Sequence, residues 1–251
     1  MNASVVLTSA ASKRLIAKGV AAHPSVGKAL GNGRIVITRG TTNAFVAEEL
    51  CGAPIDRGAY AAGFIDQRWN VNARVGEMEE IVLVHGRPAN ETPDQTLSTL
   101  AAGDVVIKGG NALDPWGVVG VLLASATGGT VGRYVAAALA RGVDIVIPIS
   151  VSKSIHTSVV DLSQEMGAGR MGLHSGLACG IFPLHGQIVT EVEALYLLFG
   201  VEAVHVASNG IGPGRGSVSL LVYGEDAAVS NAYAFVSSLR EEADVELAGR
   251  A

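Results

Sequence analysis

Short runs of valine and isoleucine, each ended by glycine, proline or a charged residue, recur through the first two thirds of this 251-residue chain. They are apolar at nearly every position, which is typical of strands that are covered on both faces, as in a parallel sheet. Helical patterns separate them, as expected of a parallel sheet with helices on its faces. The predicted strands are 34–38, 80–85, 104–108 and 143–149. The predicted helices are 9–20, 44–50, 93–101 and 132–141, while residues 58–75 form either a hairpin or a long loop.

This pattern predicts an α/β fold with a three-layer, mostly parallel, Rossmann-like domain over residues 1–155. The glycine-rich stretch at 167–172 predicts a linker or crossover at 156–184. Beyond it, strand-like and helical patterns follow in the order βαββαβ, which predicts a ferredoxin-like α+β domain over residues 185–251. Its predicted elements are 186–190, 191–199, 201–207, 217–223, 225–239 and 245–247.

Composition excludes several classes of partner. The chain is 49% hydrophobic and 16% charged, and its net charge of −5 is spread without long runs of one sign. We therefore expect no nucleic-acid binding and no association with a membrane. The N-terminus lacks a basic segment followed by a long apolar one, so a cytoplasmic location is expected.

No metal or cofactor is predicted. The six histidines show no i, i+4 pairing and do not cluster with cysteine or glutamate at metal-ligand spacing. Both cysteines lie in apolar stretches and are interpreted as small core residues. The chain also lacks the glycine motifs of ATPases and dinucleotide enzymes, the serine elbow of hydrolases and the His-Glu-x-x-His motif of zinc proteases.

A first candidate site is the segment from Arg39 to Asn43, between a predicted strand and a predicted helix. The free amides of a helix N-terminus attract anions, and small residues let a phosphate or carboxylate approach closely. We expect Gly40, Thr41 and Thr42 to surround the anion and Arg39 to neutralise its charge. Alternatively, one of the two threonines simply caps the helix and Gly40 makes the turn.

A second glycine loop runs from Lys108 through Gly109 and Gly110 to Asp114, after the next predicted strand. Ligands in open α/β sheets collect where parallel strands end, so this loop should share an edge with the first. Lys108 is a cation for the same anion, Asn111 would orient the substrate, and Asp114 is the predicted general acid or base. Alternatively, Asp114 only shapes a turn before Pro115.

A third loop contains Gly128, Gly129 and Thr130 and leads to Arg133, a further predicted cation. Three glycine loops near strand ends make one shared anion pocket more credible than any loop alone. Outside them, Lys153 and His174 are conceivable catalytic groups, although loop residues of these types are more often only polar surface. Glu191 is explained by stabilisation of a helix N-terminus.

These loops resemble motifs of the superfamily that contains ribose-5-phosphate isomerase A, glucosamine-6-phosphate deaminase-like proteins, initiation-factor-2B-like proteins and coenzyme A transferases. The resemblance covers roughly residues 10 to 150. The stretch from Ile37 to Thr42 is similar to the isomerase's phosphate loop, with Thr38 in place of its first glycine. The stretch from Lys108 to Asp114 is similar to its acidic loop, and Gly128-Gly129 to a later glycine cluster. A small ferredoxin-like unit accompanies the isomerase's main domain as well.

The resemblance implies a sugar-phosphate isomerase-like enzyme with altered catalytic residues. Lys108, Asn111 and Ala112 stand where the isomerase has acidic residues, and no glutamate follows Gly128-Gly129. Asp114 is the carboxylate left to move a proton, and no glutamate nucleophile of the transferase type can be placed. The fold can therefore be shared while the reaction differs.

Two hypotheses follow for function. The first is an enzyme that binds a small phosphorylated or carboxylated metabolite and converts it by acid/base chemistry, in an isomerase-like or transferase-like way. The second is a non-catalytic protein that senses such a metabolite and assembles through its C-terminal domain. A homo-oligomer is expected under both.

Overall fold

The computed structural model describes residues 1–66, 69–71 and 78–246. Within these residues the chain forms a mixed α/β fold with several sheets. The helices are α1 (Ser9–Ala21), α2 (Pro24–Asn32), α3 (Thr41–Cys51), α4 (Pro93–Thr99), α5 (Ala136–Arg141), α6 (Val159–Glu165), α7 (Glu191–Phe199) and α8 (Asp226–Ser238). The strands are β1 (Asn2–Leu7), β2 (Arg34–Ile37), β3 (Phe64–Asp66), β4 (Trp69–Val71), β5 (Ile81–Val84), β6 (Arg87–Ala89), β7 (Val105–Ile107), β8 (Ala112–Leu113), β9 (Val119–Leu123), β10 (Asp144–Pro148), β11 (Gly180–Leu184), β12 (Gln187–Val189), β13 (Glu202–Asn209) and β14 (Ser217–Tyr223).

A six-stranded sheet in the order β12-β10-β7-β2-β5-β6 forms the centre of the molecule. Its first four strands run parallel, and Ile107 of β7 pairs with Ile37 of β2 on one side and Val146 of β10 on the other. The carboxyl ends of β2, β7 and β10 therefore lie at one edge of the sheet, as the sequence predicts.

Both faces of this sheet are buried. Ile35 and Ile37 of β2 belong to one apolar core together with α1 and α3, whereas Val36 belongs to a second core with Tyr134 and Ala138. Side chains alternate between the faces of a strand, so a strand between two cores must be apolar at every position. This explains the continuous valine and isoleucine runs in the sequence.

Strand β5 departs from the parallel order. Its first residue, Ile81, pairs with the last residue of β2, Ile37, so the two strands are antiparallel. The chain has returned to the carboxyl edge of β2 before β5 begins. Glu80, the residue before β5, consequently lies at the edge where the predicted ligand loops meet.

The predicted ferredoxin-like βαββαβ unit is wrong in its topology. Its expected first strand, β12, pairs in parallel with β10 of the central sheet, with Ile188 opposite Ile147. The small sheet instead has the order β1-β14-β13, so the N-terminal strand β1 completes it. Residues 245–246 are not in a strand, and Leu247 lies outside the described residues. Valine-rich patterns report burial but do not say which strand is the partner.

The predicted boundary between residues 1–155 and 185–251 is crossed by one continuous core. Helix α1 from the first part packs on α7 from the last part. The approach is close: a Cβ added to Gly19 of α1 would lie 2.5 Å from Cβ of Ala194 in α7. Glycine at this position is therefore required by helix packing.

Residues 156–184, predicted as a linker, contain two packed elements. Strand β11 pairs antiparallel with β9, and α6 contacts β11. The glycine-rich 167–172 segment lies between these elements, and its composition alone suggested a linker.

In the 58–75 segment, β3 and β4 pair as an antiparallel hairpin, one of the two alternatives left open, while residues 67–68 and 72–75 lie outside the described residues. Among the described residues, no helix is long and apolar enough to cross a membrane.

Candidate functional site

The three predicted loops border one cavity of about 700 Å³ at the carboxyl edge of β2, β7 and β10. Its lining includes Thr41 from the first loop, Asn111 from the second and Gly129 from the third. The structure thus brings together the loops that the sequence predicts to meet. The residues of those loops that line it are Arg39, Gly40, Thr41, Thr42, Asn43, Lys108, Gly109, Gly110, Asn111, Gly128, Gly129, Thr130 and Arg133.

The first loop presents the N-terminus of α3 to the cavity. Gly40 precedes the helix, and no side chain of the described residues caps its first amides. Thr41 and Thr42 are the first two residues of the helix. The alternative interpretation, in which one of these threonines caps the helix, is therefore wrong. An uncapped N-terminus leaves backbone N–H groups available to an anion.

Asn43 joins this loop to the neighbouring strand. Its buried Nδ2 donates to the carbonyl oxygen of Thr38 at 2.7 Å and to that of Ile107 at 3.3 Å. These bonds tie the carboxyl ends of β2 and β7 together. The Oδ1 atom of Asn43 has no hydrogen-bond partner among the described residues.

Two lysine side chains extend into the cavity wall, one from the residue after β7 and one from the turn after β10. Lys108 is 9% exposed, and its Nζ donates to the carbonyl oxygen of Gly109 at 3.0 Å. Lys153 donates in the same way to Gly110 at 2.7 Å. Within the described parts of the chain, neither ammonium group has a carboxylate within the 4.0 Å of an ion pair.

Burial is the main cause that lowers the pKa of both lysines to about 8, because the charged form is poorly solvated there. The positive charge of Lys153 lowers the pKa of Lys108 further, and Glu80 opposes this shift. For Lys153, the second cause is the charge of Lys13, which Glu191 opposes. An anion placed between the two ammonium groups would relieve this repulsion.

The exposed Arg133 side chain forms an ion pair with Glu80. Its Nη1 lies 3.0 Å from each carboxylate oxygen of Glu80, and the Tyr134 hydroxyl is 3.3 Å from Oε2 of Glu80. Arg133 was predicted to neutralise the charge of the ligand, but its own charge is already partly neutralised by Glu80. Glu80 itself lines the cavity with a side chain that is 7% exposed.

Asp114 does not line this cavity, which corrects its assignment as general acid or base. Its carboxylate accepts hydrogen bonds from the backbone amides of Trp116, Val118 and Val159 at 2.9, 2.8 and 3.1 Å. Burial raises the pKa of this carboxyl, but the amide hydrogen bonds outweigh it, and the net pKa is lowered. Asp114 therefore shapes the β8–β9 turn and holds the start of α6, as the alternative interpretation had it.

Asn111 lines the cavity, yet both ends of its amide are used by the fold. Nδ2 donates to the carbonyl oxygen of Gly63 at 3.0 Å, and Oδ1 accepts from the amide of Leu122 at 3.1 Å. In the third loop, Gly128 and Gly129 have φ values of 73° and 57°, a conformation that favours glycine. The predicted substrate-orienting role of Asn111 remains a prediction.

Lys153 and Glu80 line the cavity but were not assigned to it from the sequence. Lys153 follows β10, so the rule that ligands collect at carboxyl ends of parallel strands could have placed it there. Glu80 precedes a strand and carries no such signal. His174 is exposed outside the cavity, and its Nδ1 lies 2.8 Å from the carbonyl oxygen of Gly176. Glu191 is buried and accepts hydrogen bonds from Ser150 and from the amide of Val151.

No described group of histidine, cysteine, aspartate and glutamate side chains could hold a metal ion. Comparison with known proteins adds no relative: no protein family model, no curated protein and no solved structure matches this chain.

Proposed function

We propose that the cavity binds a small phosphorylated or carboxylated metabolite and that the chain converts it by acid/base chemistry of the sugar-phosphate isomerase type. The observation that carries the proposal is the pair of lysines in the cavity wall, buried Lys108 and half-buried Lys153, whose ammonium groups are hydrogen-bonded to carbonyl oxygens. Buried cations without a carboxylate are costly unless an anion joins them. The uncapped N-terminus of α3 borders the same space.

The charge of the site supports the proposal because it runs against that of the chain. The whole protein has a net charge of −5, and yet the described lining of the cavity has four cationic side chains and two carboxylates, a formal charge of +2, from Arg39, Lys108, Lys153, Arg133, Glu79 and Glu80. A concave surface with an excess of positive charge concentrates negatively charged ligands. The resemblance to the isomerase and coenzyme A transferase superfamily, which stays a prediction, would give the same class of ligand.

Glu80, and not Asp114, is the general acid or base in this proposal. Glu80 lines the cavity, and Arg133 and Tyr134 fix its carboxylate. A fixed carboxylate at the ligand is what proton transfer between adjacent carbons requires.

Thermal denaturation in the presence of candidate ligands tests this proposal. Inorganic phosphate, sugar phosphates, nucleotides and coenzyme A esters are compared with neutral sugars of similar size. A ligand at about 100 times its Kd should stabilise the protein by about 2.7 kcal/mol. Lys153→Met should remove most of that stabilisation, and the exposed Lys28→Met is the matched control.

For any ligand that binds, Glu80→Gln separates an enzyme from a binding protein. Glutamine keeps the size of the side chain and one acceptor oxygen for Arg133, but it cannot take up a proton at neutral pH. Loss of turnover with retained binding supports the acid/base proposal. Unchanged turnover in Glu80→Gln removes Glu80 from it.

A metabolite-sensing protein that assembles through its C-terminal region is the second candidate, and a surface feature favours it. The solvent face of the β1-β14-β13 sheet carries exposed apolar side chains, namely Val6, Val204, Val206, Leu221 and Tyr223. A contiguous exposed apolar patch often marks a protein interface. Light scattering of the wild type and of Leu221→Glu tests it: a wild type that is monomeric at micromolar concentration, with and without phosphate, ends this candidate. Cytoplasmic location remains an expectation under both candidates.

A further inference from the structure

Lys108 has the surroundings of a reactive amine. It follows the last residue of β7, its side chain is almost fully buried, and its Nζ is held on the carbonyl oxygen of Gly109 at 3.0 Å. The side chain lines the cavity, so a ligand there would meet the amine. Among the described residues no carboxylate lies within ion-pair distance of this nitrogen. A lysine whose task was only to complete the fold would be expected to pair with one.

A second cation adjoins Lys108. The Nζ of Lys153 binds the carbonyl oxygen of Gly110, the next residue of the same loop, at 2.7 Å. Together with burial, the charge of Lys153 lowers the pKa of Lys108 to about 8. At pH 7 about one Lys108 side chain in ten would then be a neutral amine, against fewer than about one in a thousand for an ordinary lysine. Burial and a neighbouring cation are the two means by which proteins activate lysine as a nucleophile.

We propose that Lys108 forms an imine with the carbonyl carbon of its substrate, an aldehyde or ketone that also carries a phosphate or carboxylate. The inference rests on the proposed function, because the anionic group must bind at Lys153 and the N-terminus of α3 for the carbonyl to reach Lys108. It narrows the ligand class from anionic metabolites in general to anionic carbonyl compounds.

The step balances without an oxidant or reductant. The lone pair of Nζ attacks the carbonyl carbon, the C–N bond forms, and an amine proton passes to the carbonyl oxygen. The resulting carbinolamine is protonated on its hydroxyl group, the C–O bond breaks, and water leaves. The positively charged imine that remains withdraws electrons from the neighbouring carbon, so a proton can be removed from that carbon and returned to it or to the next.

Glu80 is the group that would carry those protons. It lines the same cavity, and its negative charge acts on Lys108. The Arg133 guanidinium, 3.0 Å from both oxygens of Glu80, fixes where the carboxylate stands. Imine formation at Lys108 and acid/base conversion by Glu80 are therefore successive steps at one site.

Two pairs of probes separate this inference from anion binding. Dihydroxyacetone phosphate and glycerol 3-phosphate have the same phosphate and differ at one carbon, a ketone against an alcohol. Pyruvate and lactate form the corresponding carboxylate pair. Each compound is tested for thermal stabilisation and then incubated with the protein and sodium cyanoborohydride, which reduces an imine to a stable secondary amine. The modified lysine is identified by peptide mass spectrometry.

The sequence makes the assignment simple because the chain has five lysines, at positions 13, 18, 28, 108 and 153. We expect both members of at least one pair to stabilise the protein. Only the ketone should leave an adduct, located on Lys108, at least about tenfold above the exposed Lys28, since the neutral amine is the reacting form. Labelling should rise with pH and reach half its maximum near pH 8.

Two variants sharpen the test. Lys108→Arg keeps a cation but has no amine that forms an imine, so stabilisation by glycerol 3-phosphate should stay within about twofold while the adduct disappears. Lys153→Met removes the neighbouring charge, so half-maximal labelling of Lys108 should move to higher pH. Lys28→Met should change neither.

The outcomes are distinguishable. Stabilisation by both members of a pair with no adduct on Lys108, or with an equal adduct on Lys28, overturns the imine and leaves anion binding intact. An adduct that persists in Lys108→Arg assigns the chemistry to another lysine and also overturns it. No stabilisation and no adduct with any of the four compounds overturns the inference together with the proposed function.

Discussion

Replacing Lys108 with methionine should make the unliganded protein more stable at pH 7 while it weakens anion binding. The folded protein holds the proton of Lys108 with a pKa of about 8, whereas an unfolded chain holds it with the ordinary 10.5. The charged amine is therefore destabilising in the folded state, and methionine fills the same length without a charge.

The magnitude follows from the pKa difference. A difference of about 2.5 pKa values corresponds to roughly 3 kcal/mol. The variant also loses the hydrogen bond from Nζ to the carbonyl oxygen of Gly109, which contributes about 1 kcal/mol. The net gain in the free energy of unfolding at pH 7 should be about 2 kcal/mol.

The pH dependence distinguishes this cause from simple packing. Below pH 8 both the folded and the unfolded protein carry the proton, so the full penalty is present in the wild type. Between pH 8 and 10.5 the folded protein has released the proton and the unfolded chain has not, so the stability of the wild type rises. The advantage of Lys108→Met should therefore fall from about 2 kcal/mol at pH 7 to about zero near pH 9.5.

Urea denaturation followed by circular dichroism measures this at both pH values for the wild type, Lys108→Met and the control Lys28→Met. Inorganic phosphate should stabilise the wild type and the control more than Lys108→Met. A Lys108→Met variant that folds but is less stable than the wild type at pH 7 refutes the reasoning. An advantage that does not change with pH refutes it as well.

Three further predictions address the loops of the site. Asp114→Asn should lower the free energy of unfolding by about 2 kcal/mol, since three backbone amides lose a charged acceptor. Phosphate should still stabilise this variant. Unchanged stability in urea would contradict the structural role of Asp114. Gly110→Ala places a Cβ 2.1 Å from Cγ1 of Val119, so it should lower the free energy of unfolding by about 2 kcal/mol or more in the same assay. Gly109→Ala has no atom nearer than 3.6 Å to its new Cβ and should leave the free energy of unfolding nearly unchanged. Equal effects of the two variants would refute the packing argument. If phosphate binding requires a protonated Lys108 or Lys153, the affinity for inorganic phosphate measured by calorimetry should fall about tenfold between pH 7 and pH 9 for each lysine that is required. A Kd that does not change with pH would show that neither lysine must be protonated for binding.

The sequence predicts the individual elements closely because apolar periodicity is a local report of burial. The expected strand at 34–38 is Arg34–Ile37, and the expected helix at 191–199 is Glu191–Phe199. The meeting of the first two loops was also predictable, since both follow parallel strands of the central sheet, whereas the third loop follows β9 of a separate antiparallel sheet. Neither inference needs to know which strands are neighbours.

Partner choice and strand direction could not be predicted in this way. β12 and β13 both correspond to strands predicted for the small C-terminal unit, yet one joins the central sheet and the other the small sheet. Asp114 shows the same limit for a side chain: whether a carboxylate faces a cavity or binds backbone amides depends on how the turn around it closes. Here the turn closes on the amides of Trp116 and Val118, and no local pattern encodes that choice.

The direction of β5 decides whether this cavity has chemistry beyond anion binding. In a fully parallel sheet the residue before β5 would lie at the amino edge, across the sheet from Lys108. Because Ile81 pairs with Ile37, Glu80 instead stands at the carboxyl edge, where its charge acts on Lys108. The reversed strand thus supplies a carboxylate to the cavity, which Asp114 of the second loop does not line, and it places a proton carrier beside an amine. An anion-binding function would survive if β5 were parallel, but both the acid/base proposal and the imine at Lys108 would lose their proton-transfer group.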